Sequence, residues 1–424
     1  MYSYKDLLFP FKMKEQELIP HLFRTEYRKL IAVLCKHFGF ECIEIAEDIA
    51  SDTFLLATET WSFKGLPDNP AAWLYTVARN KANDYLKHHH LFDEKISPLI
   101  EQESTINYEM EIDLSNRNIA DSELQMMFAV CHPSISTEAQ IGLALRILCG
   151  FGIEEIANAF LTNKETINKR LLRAKDKLRT EKVKIEFPGE GEINQRLNTV
   201  LTTLYLLFSE GYYSLSQDVI LRKDLCLEAM RLTLILIEND QTNKPSVNAL
   251  ISLMCFHASR FDARINQNGE SILYPEQDKS LWDMELIAKG EYFLNRASKG
   301  NSLTKYHLEA GIAFWHTRQT DSNEKWKNIL YLYNQLLQIE YSPMAALNRT
   351  FALSKVYGKQ EALSEAEKLN LQGNYLYHTL LGELYTDIDN SMAIIHFRKA
   401  LSLSKSSSER MHLLNKIEHC KILN

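Results

Sequence analysis

The chain of 424 residues is longer than one compact core usually spans, so two or three domains are expected. With 45 % hydrophobic and 24 % charged residues its composition excludes global disorder, and a net charge of −7 excludes a protein that coats nucleic acid indiscriminately. No stretch reaches the roughly 18 uncharged apolar residues of a membrane span, and the N-terminus MYSYKDLLFPFKMKEQ is charged where a signal peptide has its apolar core, so a cytoplasmic location without a membrane partner is expected.

Apolar residues recur every three or four positions along nearly all of the chain, Gly and Pro are scarce, and alternating β-branched runs are missing. The fold class is therefore all-α. The first helical block occupies residues 1–90, with a clear pattern from about residue 15. In it EIAEDIASDTFLLATETW forms an amphipathic helix with Glu44, Glu47, Asp48 and Asp52 on one face and Ile45, Ile49, Phe54 and Leu56 as its core stripe. The loop SFKGLPDNP leads into the helix AAWLYTVARNKANDYLK, where Trp73, Leu74 and Val77 are apolar and Arg79, Asn80, Lys81, Asn83 and Lys87 polar. Aromatics interleaved with cations and amides suit single-stranded DNA, although a helical tryptophan such as Trp73 is more often a core ring than a platform for a base. His88, His89 and His90 diverge by about 100° each on a helix, so they cannot converge on one metal ion.

Residues 91–120 lack an apolar stripe and carry a local charge of −5 between Phe92 and Ala120, which makes them an acidic linker. The second block, residues 121–184, reads as a helix over Ala139–Leu148, a second in GFGIEEIANAF, a tight turn at Leu161, Thr162 and Asn163, and a third in KETINKRLLRAKDKLR. This is a helix-turn-helix pattern. Thr162 or Asn163 caps the third helix, Ile167, Leu171 and Leu172 point inward, and Lys164, Glu165, Thr166, Asn168, Lys169, Arg170 and Arg173 are left for a DNA groove. The net charge between Thr162 and Lys184 is +6, as phosphate neutralisation requires. An ordinary amphipathic hairpin with a solvated basic face gives the same local pattern.

Pro188, Gly189 and Gly191 punctuate FPGEGE, after which helices resume at Ile193 and the extension 185–424 follows. Within it His257, Arg260, Arg264 and Trp282, with Asp262, Glu276, Asp278 and Asp283, form the densest polar constellation outside the first two blocks. Such a cluster stitches helices together through salt bridges, the more ordinary reading, or lines a pocket. The seven cysteines contain no C-x-x-C pair, so they read as reduced, mostly buried thiols, with no metal site or cofactor expected. No nucleophile elbow, phosphate loop or H-E-x-x-H motif occurs, which reads against an enzyme.

AEDIASDTF followed by PAAWLYTVARNKANDYL resembles region 2 of extracytoplasmic-function RNA polymerase sigma factors, and the helix-turn-helix ending in TINKRLLRAKDKLR resembles their region 4. The resemblance implies promoter-specific transcription initiation with core RNA polymerase (β′ and β subunits) and promoter DNA as partners. It assigns Glu47, Asp48 and Asp52 to the polymerase, Ser51 standing where the family commonly has an amide. Phe63, Lys64, Gly65, Arg79, Asn80, Asn83, Asp84 and Lys87, with Trp73, go to the −10 element. Thr162 and the residues from Lys164 to Arg173 go to the −35 duplex. The extension resembles a fused tetratricopeptide-type domain, most clearly in LLGELYTDIDNSMAIIHFRKAL, with Leu381, Gly382 and Tyr385 on one helix and Ala393, Phe397 and Ala400 on the next. It lacks one spacer residue and the closing proline; a weaker repeat surrounds Ala362 and Ala366. Such a domain implies a regulatory protein or peptide partner. The alternative is a helical adaptor with a helix-turn-helix that never joins the polymerase.

Overall fold

Helices in this chain begin where a short polar side chain can satisfy the free backbone N–H groups and end where glycine or a polar run breaks the pattern. Ser115, Ser136, Asn163, Asp283, Ser322, Ser342 and Asp389 each accept a backbone hydrogen bond at a helix start. The computed structural model describes residues 15–96, 112–160, 162–213, 219–264, 272, 274–318, 320–404 and 407–422. Among these, all regular structure is helical, and the chain divides into unit 1, Met1–Thr242, and unit 2, Asn243–Asn424.

In unit 1, α1 (Glu15–Phe38) lies against α2 (Ile43–Lys64), α3 (Pro70–Ile96) and α4 (Asn116–Val130). Tyr27, Leu30, Ile31, Leu34, Ile43, Phe54 and Leu74 are the buried residues between them. Helix covers both ends of the stretch read as a linker, because α3 runs on to Ile96 and α4 starts at Asn116; the linker residues 97–111 lie outside the described residues. Then come α5 (Thr137–Leu143), α6 (Ile153–Ala159) and α7 (Lys164–Thr180), followed by the hairpin of α8 (Ile193–Tyr213) and α9 (Val219–Glu238). The helix expected to continue to Leu148 instead widens into a π turn over Ala144–Leu148, where Cys149 N–H reaches back to Ala144 O at 3.1 Å. Although α8 and α9 follow the FPGEGE break, they pack on α4, α5 and α6, and so belong to unit 1.

Unit 2 is a succession of helices packed mainly on their neighbours in sequence, except that α12 lies chiefly on α10 and α13 rather than on α11: α10 (Pro245–Ala258), α11 (Met284–Ala297), α12 (Lys305–Thr317), α13 (Asn323–Ile339), α14 (Pro343–Tyr357), α15 (Lys359–Lys368), α16 (Tyr375–Tyr385), α17 (Asn390–Leu403) and α18 (Ser407–Ile422). Nearest-neighbour packing of this kind is the organisation of helical repeats. Ala362, Ala366, Ala393 and Ala400 are fully buried, and Phe397 fills the space between α16 and α17. A Cβ on Gly382 would sit 2.5 Å from the Phe397 ring, so only glycine permits this approach. Gly382→Ala should therefore destabilise unit 2 by about 1–3 kcal/mol through overpacking, read as a lower urea midpoint.

All seven cysteines are free thiols, six of them buried, and burial pushes Cys131 and Cys255 up to about 12.

Candidate nucleic-acid interface

The acidic and cationic faces of the first block lie on α2 and α3. Burial of Ile43, Ala46, Ile49, Ala50, Thr53 and Phe54 turns the carboxylates of α2 outward, Glu44, Asp48 and Asp52 being exposed and Glu47 half-buried. Asp52 meets Lys81 of α3 at 3.2 Å. Ser51 donates to Glu47 O at 2.7 Å and lies 3.3 Å from the Tyr27 hydroxyl. Leu56, expected in the core stripe, is 38 % exposed and neighbours the exposed Leu55, because the inner face of α2 passes through Thr53, Phe54 and Ala57 instead.

Helix α2 stops at Gly65, whose φ of 79° and N–H bond to Trp61 O make a left-handed stop that only glycine adopts without strain. Just before it, Phe63 is 92 % exposed beside exposed Lys64. Asn69 caps α3 by accepting from Ala72 N–H, and Pro70 occupies the first helical position. On α3 the residues Arg79, Asn80, Asp84 and Lys87 are exposed and Asn83 half-buried, its Oδ1 without a hydrogen-bond partner among the described residues. Trp73 is half-buried, edge-on to the buried Trp61 with ring centroids 5.3 Å apart.

In the second block Asn163, not Thr162, caps α7: its Oδ1 accepts from Thr166 N–H at 2.8 Å. Thr162 is half-buried and donates its N–H to Ala157 O; Leu161 lies outside the described residues. The inner face of α7 runs through Ile167, Leu171, Ala174 and Leu178. Leu172 is 56 % exposed rather than inward, since one helical step of about 100° carries it off that stripe. Lys164, Glu165, Thr166, Asn168, Lys169 and Arg173 are exposed, with ion pairs from Lys164 to Glu154 and from Lys169 to Glu165. An open groove of about 540 Å³ collects Thr166, Lys169, Arg170 and Arg173, together with Lys177, Ser134 and Ser136. Lys177 lies beyond the stretch Lys164 to Arg173 expected from the sequence, although the spacing 166, 170, 173, 177 already puts it on that face.

A set of contacts between these two blocks was not legible locally. Lys175 Nζ lies 2.6 Å from Glu47, Arg146 Nε lies 3.4 Å from it, and Arg179 pairs with Glu44.

In unit 2, His257, Arg260 and Arg264 lie near one another, and burial, then the charges of Arg260 and Arg264, hold the His257 imidazole well below its ordinary range. Arg260 stacks over Tyr274 at 5.2 Å, and Tyr274 contacts the rings of Trp282 at 6.3 Å and His316 at 5.1 Å. Tyr274, His316 and Lys325 complete a cluster that the sequence reading had only in part, because His316 and Lys325 come from helices far along the chain. Among the described residues no group of three or more His, Cys, Asp or Glu side chains could hold a metal ion, and no helix is long and apolar enough to cross a membrane.

Residues 22–91 match the family model of sigma-70 region 2, and residues 196–298 match a family of unknown function (DUF6596). Over 389 residues, 90 % of this chain and 91 % of the other, the chain is 30 % identical to the uncharacterized protein R00370 of Rhizobium meliloti (strain 1021). No solved structure matches the chain.

Proposed function

The chain belongs to the same family as the Rhizobium meliloti protein and carries the region 2 of a sigma-70 family factor, and from that premise we propose that it directs promoter-specific transcription initiation as an extracytoplasmic-function sigma factor. A sigma-70 region 2 implies core RNA polymerase and promoter DNA as partners. The observation that best supports the finer reading is the continuous surface of α2, its loop and α3. An acidic face ends in a phenylalanine that is 92 % exposed, and a helix bearing Arg79, Asn80 and Lys87 outward follows. A large ring left in water serves no core and fits stacking on an unpaired base, while the cations hold the strand. Glu47, Asp48 and Asp52 are the polymerase contacts in this reading. The groove of α7, with Thr166, Lys169, Arg170 and Arg173, takes the −35 duplex.

In vitro transcription with purified core polymerase tests the assignment. Asp48→Lys should weaken association with core polymerase by about tenfold or more, because it turns an attractive pair of unlike charges at the interface into a repulsive pair of like charges. Arg170→Ala should leave that association intact and cost about 1–3 kcal/mol in promoter-duplex affinity. Start-site-specific initiation that survives both substitutions would contradict these roles. An adaptor that never joins polymerase would show no initiation at all.

The helical succession of unit 2 is read as a tetratricopeptide-like domain that regulates the factor by binding a protein or peptide. Because α8 and α9 pack inside unit 1, the informative truncation removes residues 243–424, not everything after residue 190. It should change the level of initiation without changing promoter preference; an unaltered level would contradict a regulatory role.

A further inference from the structure

Half of the acidic face of α2 is already occupied by the chain itself. Glu47 is 13 % exposed and sits between Lys175 Nζ at 2.6 Å and Arg146 Nε at 3.4 Å. Glu44, one turn earlier, pairs with Arg179 and lies 3.9 Å from Lys175. Three cations from the helix-turn-helix block thus converge on two carboxylates of α2 that are distant in sequence, Lys175 and Arg179 reaching across 128 and 135 positions. Lys175 itself is 8 % exposed, and a lysine is almost never that buried unless it is paired. The side chains of α7 are divided between two tasks: Lys169, Arg170 and Arg173 line the open groove, while Lys175 and Arg179 turn to α2.

We propose that this contact is an autoinhibitory clasp, in which the C-terminal half of α7 covers in cis the carboxylates that core polymerase must reach. The inference rests on the reading of α2 as the polymerase face. The clasp and the polymerase compete for the same side chains, so the apparent affinity of the free chain for polymerase is its intrinsic affinity reduced by the fraction of molecules with the clasp open. The clasp covers Glu47 but leaves Asp48 and Asp52 in solvent, so polymerase can engage the exposed half of the face first and displace the cations afterwards. The DNA-facing side of α7 remains open throughout, so the clasp holds back polymerase binding rather than duplex binding. The two ion pairs differ in character. Glu44 and Arg179 are 47 % and 28 % exposed and are screened by salt, whereas Glu47 and Lys175 are shielded from it.

Zero-length carbodiimide coupling of the full-length chain should join Lys175 to Glu47, identified by mass spectrometry, and the yield should fall when core polymerase is added. Lys175→Gln should tighten core binding by about three- to tenfold by raising the open fraction. Arg179→Gln, on the exposed arm, should act in the same direction by a smaller factor and keeps the test available if the buried substitution impairs folding. A cross-link that persists undiminished in the polymerase complex, or variants that bind core no tighter than the parent chain, would overturn the clasp while leaving the polymerase reading in place. Failure of the parent chain and both variants to bind core at all would remove the polymerase reading itself, and the clasp with it.

Discussion

Replacing Arg231 with alanine should destabilise unit 1 by about 3–5 kcal/mol, the loss typical of a buried ion network deprived of one partner. Arg231 is 2 % exposed, and its guanidinium meets Glu123 at 3.0 Å, Glu228 at 2.7 Å and the Leu148 carbonyl at 2.5 Å. It therefore joins α9 to α4 and to the π turn before α6. Arg28 of α1, 4 % exposed, reaches both Glu228 oxygens at 3.1 Å from the other side. Without Arg231, two carboxylates in a poorly solvated place share one cation, and a buried carbonyl loses its donor. Urea unfolding of the variant against the parent chain measures the effect. A loss below about 1 kcal/mol would mean that the network is solvated and holds little together. The acid response has a definite sign. Burial by itself would raise the Glu228 carboxyl, but Arg28 and Arg231 outweigh it and hold it below the ordinary range. Its stabilisation is thus present above the unfolded carboxylate value of about 4.3 and is lost as pH falls through the lower folded value.

The same network shows what local pattern reveals and what it conceals. Helix after helix was readable, because Ile167, Leu171, Ala174 and Leu178 recur at the helical period and bury accordingly. The period carries no label for a cation that is buried only because a carboxylate arrives from a distant helix. By local pattern Lys175 is one more member of a basic face, and Arg231 is one polar residue in the helix Val219–Glu238. The FPGEGE punctuation was a sound guide to where α8 begins, yet the end of a helix is not the end of a packing unit. The apolar faces of α8 and α9 find α4, α5 and α6 behind them, and the division falls after Thr242, before Pro245 opens α10. In the candidate surface, exposure of Phe63 follows from its place beside a glycine stop. That Leu172 is solvent-facing could have been seen by placing it one step off the stripe of its neighbours. Likewise, the local density of charge around His257, Arg260 and Arg264 marked a real cluster, but its aromatic partners His316 and Trp326 stand on later helices.

Lowering the pH from 7.5 to 5 should destabilise unit 2 by at least about 2 kcal/mol, and imidazoles are the groups that do it. His316 packs between the rings of Tyr274 and Trp326, and burial, then Arg260 and Lys325, bring its pKa down to about 3. His257 is lowered in the same cluster. A second pair lies between α16 and α17: the rings of His378 and His396 stack with their Nδ1 atoms 3.2 Å apart, Tyr385 covering His396. The His378 Nε2–H donates to Gln372 O at 2.9 Å, which leaves its Nδ1 as the acceptor and His396 as the donor. A further proton on His378 would set two N–H groups against each other, and burial lowers both imidazoles. Each folded value lies below the unfolded value of about 6.5, so the stabilisation is complete above that pH and is lost as pH falls. His316 alone accounts for about 2 kcal/mol at pH 5, from 1.5 units of pH at ~1.36 kcal/mol each, and the other three add to it. Carboxylates scarcely titrate in this interval, so urea midpoints of unit 2 at pH 7.5, 6 and 5 isolate the imidazole contribution. A stability that stays flat across that range would mean that these rings accept protons in place. Replacing His378 by phenylalanine should then flatten only the share owed to the stacked pair, leaving the steeper loss from His316 and His257 intact.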